Sequence, residues 1–180
     1  METVISLLRG INVGPHNRVK MEPLRAVYES LGLRDVQTYL QSGNVIFSTE
    51  KKDLTKLGLQ IEAAIEKAFG FRPAVVHRTL AEMQDVIARN PFAARKDVAP
   101  KALFVFFLAR DAGAEARASL GAIDCAPEEL HISGDRELFL HYVNGFARPK
   151  LPPAKIERIL KVPATARNWN TVRDLANRST

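Results

Sequence analysis

A chain of 180 residues, 46% hydrophobic and 26% charged, is long enough for one ordinary domain or for two small units. Its 26 basic and 20 acidic residues give a formal charge of +6 that inclines it toward anionic partners, but the basic residues are dispersed and form no nucleic-acid-binding tail. No apolar run is long enough for a membrane span, Met1-Glu2-Thr3-Val4 lacks the basic region of a signal peptide, and the lone Cys125 excludes an internal disulfide, so a reduced cytoplasmic setting is expected.

In chain order, residues 3–8 read as a buried strand, short, apolar and β-branched at Val4 and Ile5. The loop 10–20 follows. Pro23 is then expected at a first helical position, with Leu24, Val27, Tyr28 and Leu31 at helical spacing and Gly32 as the left-handed stop. Residues 36–40 and 45–48 form a hairpin expected to turn on Ser42-Gly43, with Leu40 opposite Val45 and Thr38 opposite Phe47. Asp53 caps a second helix with the stripe Leu54, Leu57, Ile61, Ile65 and Ala68, ending at Gly70; residues 72–77 make a fourth strand. Thr79-Leu80-Ala81-Glu82 is a capping-box start for a further helix that stops at Asn90-Pro91.

After a connector at 91–100 the pattern begins again. Residues 103–108 are a second buried strand, 112–120 an alanine-rich helix, and 129–133 with 137–143 a hairpin around Gly134-Asp135. Pro152-Pro153 opens a helix with Ile156, Ile159 and Leu160 on one face, Pro163 ends it, and 164–169 fill the slot of a fourth strand before a last helix at 172–177. Each half closes with an Arg beside a helix entrance, His77-Arg78-Thr79 in one and Arg167-Asn168-Trp169-Asn170-Thr171 in the other. The expected fold class is α+β: two ferredoxin-like βαββαβ repeats, each an antiparallel sheet with helices on one face and each followed by an extra helix. The expected organisation is 1–90, connector 91–100, and 101–180.

This topology carries a functional expectation. The first and second strands of a βαββαβ unit run the same way, so the loop after the first meets the hairpin after the second. Arg9, Gly10, Asn12 and Gly14 are thereby brought near Gln41, Ser42, Gly43 and Asn44. Backbone N–H groups around glycines form anion-binding concavities, and Arg9, Arg18 and Lys20 add cationic donors. The same glycines also suit a plain loop, and Ser42-Gly43-Asn44 a plain turn. The stretch is neither GxGxxG nor GxxxxGK[ST], so it is no nucleotide motif.

The other dense polar cluster is Arg167, Asn168, Trp169 and Asn170. An indole beside Arg and Asn suits stacking on a base, while the structural alternative has Trp169 filling a seam and Asn170 or Thr171 capping the last helix. His16, His77, His131 and His141 show no metal-ligand spacing, so no metal or cofactor is expected. No GxSxG elbow is present, and no catalytic residue is identified.

The motifs Leu7-Leu8-Arg9-Gly10-Ile11-Asn12-Val13-Gly14, Thr38-Tyr39-Leu40-Gln41-Ser42-Gly43-Asn44-Val45 and Arg167-Asn168-Trp169-Asn170-Thr171, together with Asn90-Pro91-Phe92, resemble the bacterial family catalogued as domain of unknown function 1697. The resemblance covers nearly the whole chain. Where the family pattern has a second glycine after Gly14 and a second threonine after Thr165, this chain has Pro15 and Ala166. It implies a compact α+β protein of two related subdomains and no particular reaction. The leading expectation is a phosphorylated small molecule or nucleotide held by Arg9, Arg167 and the glycine loop, with Asn12, Asn44 and Asn168 orienting it and Trp169 stacking. The alternatives are a nucleic-acid-binding protein and a structural or oligomerising module.

Overall fold

Strand β1 (Glu2–Leu8) is buried from Val4 to Leu8, as a strand paired on both sides must be. The computed structural model describes residues 1–179. After β1 come α1 (Met21–Ser30), β2 (Arg34–Tyr39), β3 (Asn44–Thr49), α2 (Leu54–Phe69), β4 (Val75–Thr79) and α3 (Leu80–Ala88). The second half repeats the order with β5 (Leu103–Leu108), α4 (Ala114–Gly121), β6 (Glu129–Ser133), β7 (Glu137–His141), α5 (Pro153–Leu160), β8 (Ala164–Asn168) and α6 (Trp169–Arg178). The sheets run β2-β3-β1-β4 and β6-β7-β5-β8, and all their pairings are antiparallel. This is the ferredoxin-like order, twice. By its contacts the chain divides into Met1–Met83 with the residues from Leu175 onward, and Gln84–Asp174. The boundary thus falls inside α3, and the end of α6 belongs to the first unit.

The two units share bonds as well as order. Leu8 N–H donates to Gly43 O at 2.8 Å, and Leu108 N–H to Arg136 O at 2.8 Å. Arg9 N–H donates to Ala74 O and Ala109 N–H to Pro163 O, both at 2.9 Å. A glutamate on the second helix of each unit accepts the first N–H of the fourth strand: Glu62 from Val75 at 3.1 Å and Glu157 from Ala164 at 2.8 Å. Arg78 and Arg167 hold equivalent register positions, opposite Ile5 and Val105. Both are buried, and each donates from Nη1 to the carbonyl of the residue before it. A buried guanidinium is tolerated only when its N–H groups find acceptors.

Several expected boundaries move, for local reasons. The first hairpin has a four-residue connection, 40–43, because Tyr39 pairs with Asn44 and Thr38 with Val45. Leu40 is therefore half-exposed with φ +58° and does not face Val45. Helix α1 starts at Met21, which makes Pro23 its third residue, where no intrahelical N–H is needed. Strand β4 starts at Val75 because its partner β1 ends at Leu8. In α2 the stripe closes on Leu57, Ile61 and Ile65, while Ala68 is exposed. Trp169 is the first residue of α6 and not the end of a strand. The cap of α6 is Asn168, whose Oδ1 accepts Asn170 N–H at 3.0 Å, so neither Asn170 nor Thr171 has that role. The capping box at Thr79 forms as expected: Thr79 N–H donates to Glu82 Oε2 at 2.8 Å and Glu82 N–H to Thr79 Oγ1 at 3.1 Å.

The core between the first sheet and its helices joins Val4, Leu8, Val45, Phe47 and Val75 to Leu24, Val27 and Tyr28 of α1 and to Leu57, Ile61 and Ile65 of α2. Three polar side chains stand among them. Ser6 is the register partner of His77, on the same face, and Tyr28 lies against Phe47 with ring centroids 5.6 Å apart. Burial, offset in part by the Leu54 carbonyl, pulls the His77 pKa from 6.5 down to about 4. The neighbouring Arg78 charge acts in the same direction as burial.

Because the unfolded imidazole binds a proton that the folded one refuses, stability is complete above the ordinary histidine pKa. It falls as pH drops from 6.5 toward about 4, then levels off. The slope is at most about 1.4 kcal/mol per pH unit. Urea unfolding of wild type and His77→Gln at pH 7, 5.5 and 4.5 checks this: the difference between the two shrinks as pH falls, and parallel curves refute it.

Candidate functional site

At the end of β1 the chain enters residues 9–20, which carry Arg9, Arg18, Lys20 and His16 and no acidic residue. The turn 40–43 beside it has no charged residue at all. The loop is held by the side chain of Asn12. Its Nδ2 donates to Val19 O at 2.9 Å and to Gln41 O at 2.7 Å, and its Oδ1 accepts Val19 N–H at 2.9 Å. Asn12 N–H also donates to Asn17 O at 3.0 Å, and Asn17 Nδ2 to Gly10 O at 3.2 Å. Ile11 and Val19 enter the core on either side of this clamp and anchor the loop at both ends.

The clamp imposes a particular backbone. Gly10, Asn12 and Gly14 have φ of +71°, +53° and +63°, while Ile11 and Val13 between them do not have positive φ. Left-handed residues in alternation turn successive N–H groups toward one side, the arrangement from which anion-holding concavities are built. Among the described residues none accepts a hydrogen bond from the N–H of Gly10, Ile11, Val13 or Gly14. Arg18 and Lys20 are exposed beside them.

The facing turn is equally determined. Asn44, fully buried, donates from Nδ2 to Tyr39 O at 2.7 Å and to Ser42 Oγ at 3.0 Å. Gly43 has φ +80°, and a Cβ there would lie 2.6 Å from Ile11 Cδ1 and 2.9 Å from Leu8 Cβ. Only glycine lets the turn sit against the loop. A Cβ on Gly10 or Gly14 would meet nothing within 4 Å. Next to this turn the Arg178 guanidinium stacks 4.4 Å from the Tyr39 ring centroid, a cationic contribution from the far end of the chain that no sequence pattern indicated.

The second cluster belongs to the second unit. Arg167 is buried, donates to Thr165 Oγ1 at 2.6 Å and Ala166 O at 2.9 Å, and desolvation pulls its pKa down to about 10. Asn168 donates from Nδ2 to Lys101 O at 2.9 Å and Pro100 O at 3.3 Å. Trp169 is 8% exposed and packs on Phe139 with centroids 6.2 Å apart. Asn170 is exposed and accepts from Arg173 at 2.8 Å. The loop equivalent to 9–20 is short here. Its Asp111 accepts Gly113 N–H at 2.9 Å and pairs with Arg117, and the two together hold its carboxyl below the usual range. Arg117 is also 3.3 Å from Asp135 in the turn of the second hairpin. The long loop with cations and no carboxylate of its own is therefore a property of the first unit.

Among the described residues no group of three or more His, Cys, Asp or Glu is placed to hold a metal ion, and no helix is long and apolar enough to cross a membrane. A model of the family described as "Protein of unknown function (DUF1697)" matches residues 1–139. No curated protein matches the chain. The solved structure of a conserved bacterial protein from Streptococcus pneumoniae is similar, with a TM-score of 0.75 at 22% identity, over 99% of each chain. That likeness supports the duplicated fold.

Replacing Asn12 by Ala removes three side-chain hydrogen bonds and puts a Cβ-bearing residue without a local partner at positive φ, for an expected loss of about 2–3 kcal/mol in urea unfolding. Gly43→Ala is expected to cost about 3 kcal/mol or more, because backbone strain and a clash combine there. Gly14→Ala meets no neighbour and should cost only about 1 kcal/mol. Equal losses at the two glycines would contradict the geometry.

Proposed function

For a chain that belongs to the family described as "Protein of unknown function (DUF1697)", we propose that the first unit binds a phosphorylated small molecule or nucleotide at loop 9–20. The observation that carries the reading is the alternation of left-handed residues at 10, 12 and 14, pinned by the Asn12 amide beside Arg18 and Lys20. An anion there meets N–H groups already oriented, so little ordering is lost on binding. The cations supply attraction with no carboxylate in the segment to oppose it.

In this reading the site residues divide by role. Gly10 and Gly14 shape the backbone that touches the anion, and Arg18 and Lys20 touch it directly, with Arg9 at the same edge. Asn12, Ser42, Gly43 and Asn44 position the loop and turn through hydrogen bonds within the protein. Arg167, Asn168 and Trp169 serve the second unit's strand end and helix entrance.

A thermal-shift panel of inorganic phosphate, nucleotides and sugar phosphates tests this. A ligand at about 100 times its Kd stabilises by about 2.7 kcal/mol, a shift of several degrees. The double variant Arg18→Ala/Lys20→Ala should keep its own melting temperature and bind at least about tenfold more weakly, consistent with loss of charge-assisted contacts. No shift across the panel overturns the proposal. Binding confined to oligonucleotides, and falling steeply with salt, would replace it with a nucleic-acid function.

A further inference from the structure

We infer that the first unit holds one internal water molecule, bound between Ser6, Tyr28 and His77. The side-chain atoms Ser6 Oγ, Tyr28 OH and His77 Nε2 are all buried, and none has a hydrogen-bond partner among the described residues. They converge. Ser6 and His77 are directly opposed on β1 and β4. Phe47, one rung along β3, contacts the Tyr28 ring at 5.6 Å and the His77 ring at 5.9 Å. The Ser6 hydroxyl is near enough to the Tyr28 phenol to favour its ionised form slightly, against the stronger upward effect of burial. The pair nevertheless falls outside hydrogen-bond geometry, so both oxygens remain unpaired.

The proton count sets the direction of each bond in the cluster. His77 Nδ1 lies 3.1 Å from the carbonyl oxygen of Leu54, which only accepts. Nδ1 must therefore carry the proton, and Nε2 presents a bare lone pair to the core. Each hydroxyl has one proton to give. A direct relay, Tyr28 O–H to Ser6 Oγ and Ser6 O–H to Nε2, would also meet all three groups, but neither pair lies in hydrogen-bond geometry. One water has two protons and two lone pairs: it donates to Nε2 and to Ser6 Oγ, and accepts from Tyr28 O–H. Three buried groups left unsatisfied cost more than immobilising one water. A polar site with three partners is the usual setting of an internal water.

A high-resolution crystal structure of the full chain, with nitrogen NMR of the His77 ring, tests the inference. The expected result is one ordered water about 2.7–3.2 Å from all three atoms, and an imidazole protonated on Nδ1 alone. A direct Tyr28–Ser6 bond with no solvent between them, or a ring protonated on Nε2, overturns it. Ser6→Ala and Tyr28→Phe should each lower the melting temperature by roughly 2–4 °C. The double variant should lose less than the sum, because either change already loosens the shared water. Strictly additive losses would also overturn it. Should either variant fail to fold, the wild-type structure and ring spectra still decide.

Discussion

A single carboxamide joins two segments that are 29 residues apart in sequence. Asn12 uses both N–H groups and its oxygen to tie its own loop to Gln41 and Val19, and it adopts the left-handed backbone that Asn tolerates better than most residues. Its neighbours Gly10 and Gly14 adopt the same conformation with nothing packed against the place a Cβ would fill. Packing therefore does not explain those two glycines. Their left-handed backbone is the kind from which anion-holding concavities are built, and that is the property the proposed site would use.

The sheets and most helices could be read from the sequence because burial and period coincide there. Val4 to Leu8, the stripe Leu57-Ile61-Ile65 and the Thr79–Glu82 box each specify their own local geometry. The hairpin register was harder. Ser42-Gly43 suits a two-residue turn, but Asn44 bonds back to Tyr39 O and Ser42 Oγ, and those bonds lengthen the connection to four residues. Trp169 was misplaced for a related reason: an Asn cap one residue ahead starts the helix at once. The closeness of loop 9–20 to the turn follows from topology alone, and Asn12 Nδ2 to Gln41 O is the bond that realises it. The Arg178–Tyr39 stack and the polar trio of the core were not legible. They depend on which face of α6 reaches β2 and on side chains opposed across strands, and no local pattern encodes either.

The duplication separates what the fold requires from what it does not. Features present in both units at equivalent positions serve the architecture: the Glu62 and Glu157 carboxylates of the second helices, which accept from the fourth strands, the corresponding Leu8 and Leu108 bonds, and the buried Arg78 and Arg167. On that ground Arg167 has a structural counterpart in Arg78 and needs no ligand to account for its place.

The same comparison isolates the loop after β1. Both units have a strand-to-helix connection at this position, and both set it beside a hairpin turn. In the second unit the connection, residues 109–113, is short: its Asp111 is paired with Arg117 of α4, which also lies 3.3 Å from Asp135, and its own cation Arg110 donates to Lys161 O at 3.3 Å. In the first it is longer, contains no acidic residue, and keeps Arg18 and Lys20 exposed. At physiological ionic strength charges add over about 8 Å, so cations on one loop reinforce each other while distant charges hardly contribute. A formal charge of +6 spread over the chain says little about where an anion would bind. A loop in which Arg18 and Lys20 flank a left-handed backbone, where the sister connection balances Arg110 with Asp111, is the place where the proposed site would use that charge.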